Sequence, residues 1–252
     1  MSCFCPTFFG RQFRGAFTVL PRHRHQHSYL ALVVSGGYEE AGDQGRYRAH
    51  EGDVVIHGAF EAHLNRYDRT GAEVLNIPLP ALIAPATPFM RAADPDAAVR
   101  LAERDPQEAL DFLLSTMKPL PAQTADWPDD LATALLVDPE LRLRDWAYLR
   151  GLAVATVSRG FRKVFGLSPS AYRAQARGRL AWSQMVSGNE PLSSVALNSG
   201  FCDQAHMTRT VHAITGKPPG VWRQQVKCIQ DVRRPSGASC RHEKTHTFSA
   251  GR

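Results

Sequence analysis

LRDWAYLRGLAVATVSRGFRKVFGLSPSAYR at 143–173 and LSSVALNSGFCDQAHMTRTVHAITGKPPGVWR at 192–223 are two versions of one unit, and their alignment decides how the chain is read. Leu143, Trp146, Ala147, Gly151 and Leu152 return forty-nine positions later as Leu192, Val195, Ala196, Gly200 and Phe201. The register then shifts by one residue. Ala155, Val157, Ser158, Arg159, Phe161, Gly166, Pro169, Tyr172 and Arg173 return fifty positions on as Ala205, Met207, Thr208, Arg209, Val211, Gly216, Pro219, Trp222 and Arg223. A period that carries apolar, glycine and basic positions together marks a duplicated supersecondary unit.

Each copy reads as a short helix with two adjacent core residues, a glycine for a sharp turn, and a second amphipathic helix, the grammar of a helix-turn-helix. The spacing predicts helices over 142–150 and 154–165 in the first copy and over 191–199 and 203–215 in the second. Pro191 suits a first helical turn, Asp203 a helix cap, and Gly166 and Gly216 helix ends. RAQARGRLAWSQMVSG at 173–188 continues the helical period and predicts a long connector. In 155–165, Val157, Phe161 and Phe165 form the apolar stripe, which leaves Ala155, Ser158, Arg159 and Arg162 off the core face. In 203–215, Met207, Val211 and Ile214 face inward, leaving Gln204, Ala205, Thr208 and Arg209 outward with His206 to one side. Arg159 and Arg209 hold equivalent positions. Each is placed either to read guanine with a forked pair of hydrogen bonds or to touch only phosphate. Lys163, Arg173, Lys217 and Arg223 are assigned to phosphate contact or structural pairing.

Charge points the same way. The formal net charge of +6 divides into −6 over 1–138 (12 basic, 18 acidic), +9 over 139–227 (13 and 4) and +3 over 228–252 (5 and 2). A local positive excess attracts polyanions, nucleic acid first and acidic membrane surface second. No stretch approaches the roughly 18 apolar residues of a membrane span, and the start lacks a signal-peptide layout. Cys3, Cys5, Cys202, Cys228 and Cys240 are odd in number and irregularly spaced, which suits a reducing compartment. A cytoplasmic protein with no membrane partner is therefore expected.

SRGFRKVFGLSPSAYR at 158–173, RGRLAWSQMVSGNEPLSSVALNSGF at 177–201 and DQAHMTRTVHAITGKPPGVWR at 203–223 together resemble the AraC/XylS family of bacterial transcription regulators. Val211, Thr215 and Met207 depart from the family by standing where aromatic residues are usual in the second copy. The resemblance implies that the second helix of each copy enters one of two successive major grooves of double-stranded DNA. It makes RNA polymerase, a small-molecule effector and a second copy of the chain the further expected partners.

The N-terminal half reads differently. From Tyr29 to Asn65 the runs YLALVVSGG, YEEAGDQGRY and EGDVVIHGAFEAHLN are cut by turns and predict strands and hairpins. After Pro78, Pro80, Pro85 and Pro88, helix formers take over from Asp96 to Met117, with Leu110, Leu113, Leu114 and Met117 on one face. The expected organisation is α+β: a cupin-like β-barrel sensor over 1–90, a helical linker and dimerisation element over 91–125, an all-α DNA-binding domain with two tandem helix-turn-helix units over 126–226, and a disordered tail over 227–252. HRHQH at 23–27 and GDVVIHGAFEAHLN at 52–65 carry the resemblance to a cupin-like barrel. On a strand His23, His25 and His27 share a face, and His57 and His63 approach from later strands. These five either hold a divalent metal such as zinc or iron or line a polar ligand cavity. Where a metal-binding cupin has a glutamate soon after its histidines, this chain has Ala31 and Leu32, so Glu39 or Glu40 would have to serve. The tail residues Cys228, Cys240, His242 and His246 fit no common zinc-finger spacing. The rival readings are a metal-dependent cupin enzyme fused to a DNA-binding module, and a nonspecific architectural DNA binder.

Overall fold

Two long strands set the N-terminal architecture of the computed structural model, which describes residues 9–80, 87–121, 126–138 and 140–224. The strands are β1 (Gly10–Arg14), β2 (Val19–Arg24), β3 (Tyr29–Gly42), β4 (Gly45–His50), β5 (Asp53–His57), β6 (Ala62–Pro78), β7 (Phe89–Arg91) and β8 (Lys118–Pro119). They form one antiparallel sheet of order β1-β6-β3-β5-β7-β8, with β2 also on β6 and β4 also on β3. The first part of β3, Tyr29–Leu32, pairs with β5 and the end of β6, while Gly37–Gly42 pairs with β4, and its later residues pair with the start of β6. Register shifts between Val33 and Ser35 and between Gly36 and Tyr38 bend both long strands and curl the sheet into a cupin-like barrel. Glycine is required at that bend. Gly36 has φ +72°, and a Cβ on it would stand 2.1 Å from the Gly71 carbonyl oxygen; Gly71 has φ +68°, and its Cβ would stand 2.2 Å from that of Arg14.

Period-two alternation separates the two faces. Tyr29, Ala31 and Val33 join Tyr38, Tyr47, Tyr67 and Phe89 in one core, and Leu30 and Leu32 join Val54, Ile56, Leu75 and Ile77 in the other. Helices α1 (Pro95–Ala102) and α2 (Pro106–Thr116), capped by the side chains of Asp94 and Asp105, cover the second core. Residues 91–121 are thus packed into the fold rather than free. Leu110 and Leu113 are fully buried against the sheet, Leu114 and Met117 pack on the same cluster, and β7 and β8 on either side of the helices pair with each other. The apolar face of Leu110, Leu113, Leu114 and Met117 is used inside the fold.

The C-terminal part is helical: α3 (Trp127–Val137), α4 (Leu143–Leu149), α5 (Val154–Phe165), α6 (Pro169–Ser187), α7 (Leu192–Asn198) and α8 (Gln204–Thr215). The two copies are α4–α5 and α7–α8, turning at Gly151 (φ +64°) and Gly200 (φ +76°), and α6 is the long connector. Helices α5 and α8 end in left-handed glycines, Gly166 and Gly216. The first copy shares a core with α3 and with Ala41 and Leu64 of the barrel; the second has its own core of Met185, Val195, Phe201, Met207 and Val211. The segment 227–252, with Cys228 and Cys240, lies outside the described residues, as do Cys3 and Cys5.

Candidate functional site

The amphipathic pattern of α5 and α8 decides which side chains remain available. In α5, Val157, Phe161 and Phe165 are fully buried, Ala155, Arg159, Arg162 and Lys163 are exposed, and Ser158 is half-buried. In α8, Met207, Val211 and Ile214 are buried, Gln204, Ala205, His206 and Arg209 are exposed, and Thr208 is half-buried. Ser158 and His206, one from each second helix, line a common groove of about 360 Å³ with Arg173, Arg177 and Phe201. Close packing brings the helices to these positions. A Cβ on Gly160 of α5 would strike the Trp127 ring at 2.5 Å, and one on Gly178 of α6 would strike Ile214 of α8 at 2.4 Å.

The basic residues sort into two groups. Arg173 donates to the Leu141 carbonyl at 2.6 Å, Arg223 donates to that of Glu190, and the Lys217 ammonium lies 5.0 Å from the Trp222 ring centre. These three have structural partners, whereas Lys163 projects outward. Thr215, in place of an aromatic residue, is buried and accepts the Trp222 indole N–H at 2.8 Å. A polar side chain there is satisfied rather than disruptive.

Two further features complete the picture of the site. The first is a set of barrel arginines that grip the ends of the second helices. Arg22 donates to the Phe165 carbonyl at 3.3 Å and pairs with Asp43; Arg66 donates to the carbonyls of Lys163 and Val164; Arg24 donates to the Ile214 carbonyl at 3.2 Å. Cations at these carbonyls oppose the negative end of each helix dipole and satisfy acceptors that no helical N–H reaches. Arg46 adds a bidentate pair with Asp129 of α3 at 3.1 and 2.8 Å, and Arg179 of α6 bridges Asp43 and Glu61. Each contact joins residues far apart in sequence, so no local signal announces it.

The second feature is the interior of the barrel. His23 pairs in register with His63 across β2 and β6, and ring centres lie 4.4 Å apart for His23–His63, 5.5 Å for His25–His63 and 4.4 Å for His57–His63. β2 ends at Arg24, so His27 lies in the following bend, exposed and outside the cluster. Glu40 rather than Glu39 faces inward, with its carboxylate 3.6 Å from His57 Nε2, while Glu39 pairs outward with Arg66. Burial holds His57 down to about 3, helped by the positive charge that His25 and His23 would carry, and it holds His63 well below the usual range. Burial likewise lifts Glu40 to about 8, against an opposing hydrogen bond from Asn65. Burial therefore favours the neutral form of His57 and His63. The chamber they line measures about 60 Å³, room for a few water molecules or an ion. A second cavity of about 480 Å³ lies between the barrel and α6, lined by Asp43, His57, Glu61, Arg179 and Trp182 among others.

Residues 146–225 match the family described as "Helix-turn-helix domain". Among curated proteins none matches the chain. Among solved structures, the unsaturated fatty acid-bound wild-type ToxT of Vibrio cholerae strain SCE256 is 11% identical, covering 85% of this chain and 93% of its own, with a TM-score of 0.40. The C-terminal domain of AraT, a response regulator from Geobacillus stearothermophilus, is 16% identical over 50% of this chain and 100% of its own, with a TM-score of 0.37. An AraC-type transcriptional regulator from Chromobacterium violaceum is 21% identical over 42% of this chain and 91% of its own, with a TM-score of 0.35. No helix among the described residues is long and apolar enough to cross a membrane.

Proposed function

We propose that this chain, whose residues 146–225 match a helix-turn-helix domain family, is a cytoplasmic, sequence-specific transcription regulator of the AraC type that reads two successive major grooves and takes its signal from the barrel. The observation that carries the reading is the pair of equivalent surfaces on α5 and α8. Ala155, Ser158, Arg159 and Arg162 on one, and Gln204, Ala205, His206, Thr208 and Arg209 on the other, stand off buried apolar stripes, and Ala155, Ser158 and Arg159 match Ala205, Thr208 and Arg209 in the repeat. Arg159 and Arg209 read base edges, and Lys163 contacts phosphate. Lys217 is set against Trp222 and contributes to DNA mainly as a nearby positive charge.

The barrel is the sensor in this reading, with its imidazole-lined chamber of about 60 Å³ and the adjoining cavity of about 480 Å³ as the places an effector would occupy. RNA polymerase and a second copy of the chain remain the partners expected of such a regulator.

Selection of bound duplexes from a random DNA pool with the full chain tests the reading. Enrichment of two short elements about 10–10.5 base pairs apart is expected. Uniform binding to the pool at every salt concentration would instead mark a nonspecific binder.

A further inference from the structure

β2 presents its side chains to two different places. His23, and His25 just past the strand end, join the barrel interior, while Arg22 and Arg24 reach the carbonyls that close α5 and α8. Period-two alternation makes this unavoidable: a displacement of β2 moves both sets together.

The inward set has the chemistry of a metal site. One potential ligand atom from each of His23, His25 and His63 lies within 4.8 Å of the others, and Glu40, His57 and His63 form a second such group sharing His63. Nδ1 of His63 is buried and has no hydrogen-bond partner. Nδ1 of His23 lies 2.8 Å from the Pro21 carbonyl, so it must donate, which leaves the Nε2 lone pair free to bind. Neutral imidazole nitrogens suit zinc, copper, iron and nickel rather than magnesium or calcium.

We propose that His23, His25 and His63 bind a divalent transition metal ion, with His57 and Glu40 beside it, and that metal occupancy is transmitted along β2 to the ends of α5 and α8 through Arg22 and Arg24. This rests on the regulator reading and names its effector class. Metal–nitrogen bonds of about 2.0–2.1 Å in a tetrahedral site bring ligand atoms to roughly 3.3 Å apart. Binding therefore draws the histidines of β2 toward β6. Arg22 and Arg24 shift with them, and the relative placement of the two DNA-reading helices changes.

The test uses the full chain, stripped with a chelator. Titration with Co(II) should produce visible d–d absorption that saturates near one equivalent and disappears on adding Zn(II). His25→Gln and His63→Gln should each bind Co(II) at least tenfold more weakly, and His27→Gln should bind as wild type does. X-ray absorption of the zinc-loaded wild type needs no variant and should show scattering from about three imidazoles. On the selected DNA, Zn(II) should change affinity at least fivefold, and Arg24→Gln should bind metal normally yet lose that response. Absence of Co(II) and Zn(II) uptake by a chain that still selects DNA would overturn the metal site and leave the regulator reading intact. Failure to select DNA by a chain that binds Co(II) through these histidines would overturn the regulator reading and, with it, the coupling. Binding that survives both histidine substitutions, or a DNA affinity that moves less than twofold with metal, would overturn the site or the coupling respectively.

Discussion

The two helix-turn-helix copies share one sequence grammar but are held differently. The first has an aromatic core in which Phe161 stacks on Phe165 at 4.6 Å and Tyr172 meets Phe161 edge-on at 5.4 Å and Phe165 tilted at 5.3 Å, and the barrel completes it with Ala41 and Leu64. Its entry residue, Ala153, offers no side-chain cap, and its exit is gripped by Arg22 and Arg66. The second copy packs Met207 and Val211 on its own connector, caps α8 with Asp203 at 2.7 Å from the His206 N–H, and touches the barrel through Arg24 and through Phe60 against Trp222. Duplication preserved the local signals, while docking made one copy part of the barrel's core and left the other more self-contained.

This contrast breaks first, and hardest, at the cores. Phe161→Ala should lower unfolding free energy by about 3–5 kcal/mol and loosen the barrel as well, whereas Met207→Ala should cost about 2–5 kcal/mol and leave the barrel intact. Denaturant unfolding followed by amide exchange in β3 and β6 distinguishes the two. Equal loss of barrel protection in both variants would erase the asymmetry.

An electrostatic test of similar reach uses Arg46. Its removal leaves Asp129, whose side chain is 5% exposed, paired with no arginine at that position. Arg46→Ala should destabilise by about 3–5 kcal/mol. Arg46→Met with Asp129→Leu should recover much of this in calorimetry, since a matched apolar pair removes the uncompensated charge.

At the DNA surface the copies should behave alike. Arg159→Ala and Arg209→Ala should each flatten preference by about 1–3 kcal/mol at one or two base positions, and the two affected sets should lie about one helical turn apart. Lys163→Ala should weaken all sequences equally and lower the salt slope by about one. Uniform weakening by both arginine variants would remove them as base readers.

The smallest effect concerns the caps. Asp203→Ala should cost about 1 kcal/mol, and Ala153→Asp should return a similar amount to the copy that lacks a cap. Thermal melts of the two variants and their combination measure both.

The helical half was legible because its signals are local. The stripe Val157, Phe161, Phe165, the stops at Gly166 and Gly216 and the turns at Gly151 and Gly200 each act within a few residues, so helix bounds fell within one or two positions of those observed. The strand half was legible only as strands. Period-two alternation puts His27 with His23 and His25 only if β2 runs past Arg24, and the strand ends there. Glu40 could not be chosen over Glu39, because the bulges at Val33/Ser35 and Gly36/Tyr38 set which of them points inward.

By itself, then, the sequence determined the duplication, the exposed faces of α5 and α8 and the basic character that accompanies them, all consequences of helical period, glycine sterics and composition. The tertiary structure alone decided that the apolar face of α2 covers the sheet, that His23, His25, His57 and His63 meet, and that Arg22, Arg24 and Arg66 close helices whose carbonyls lie 97–190 residues away. Such contacts depend on strand register and on docking between distant segments. No window of the chain short enough to carry a periodic pattern contains both partners.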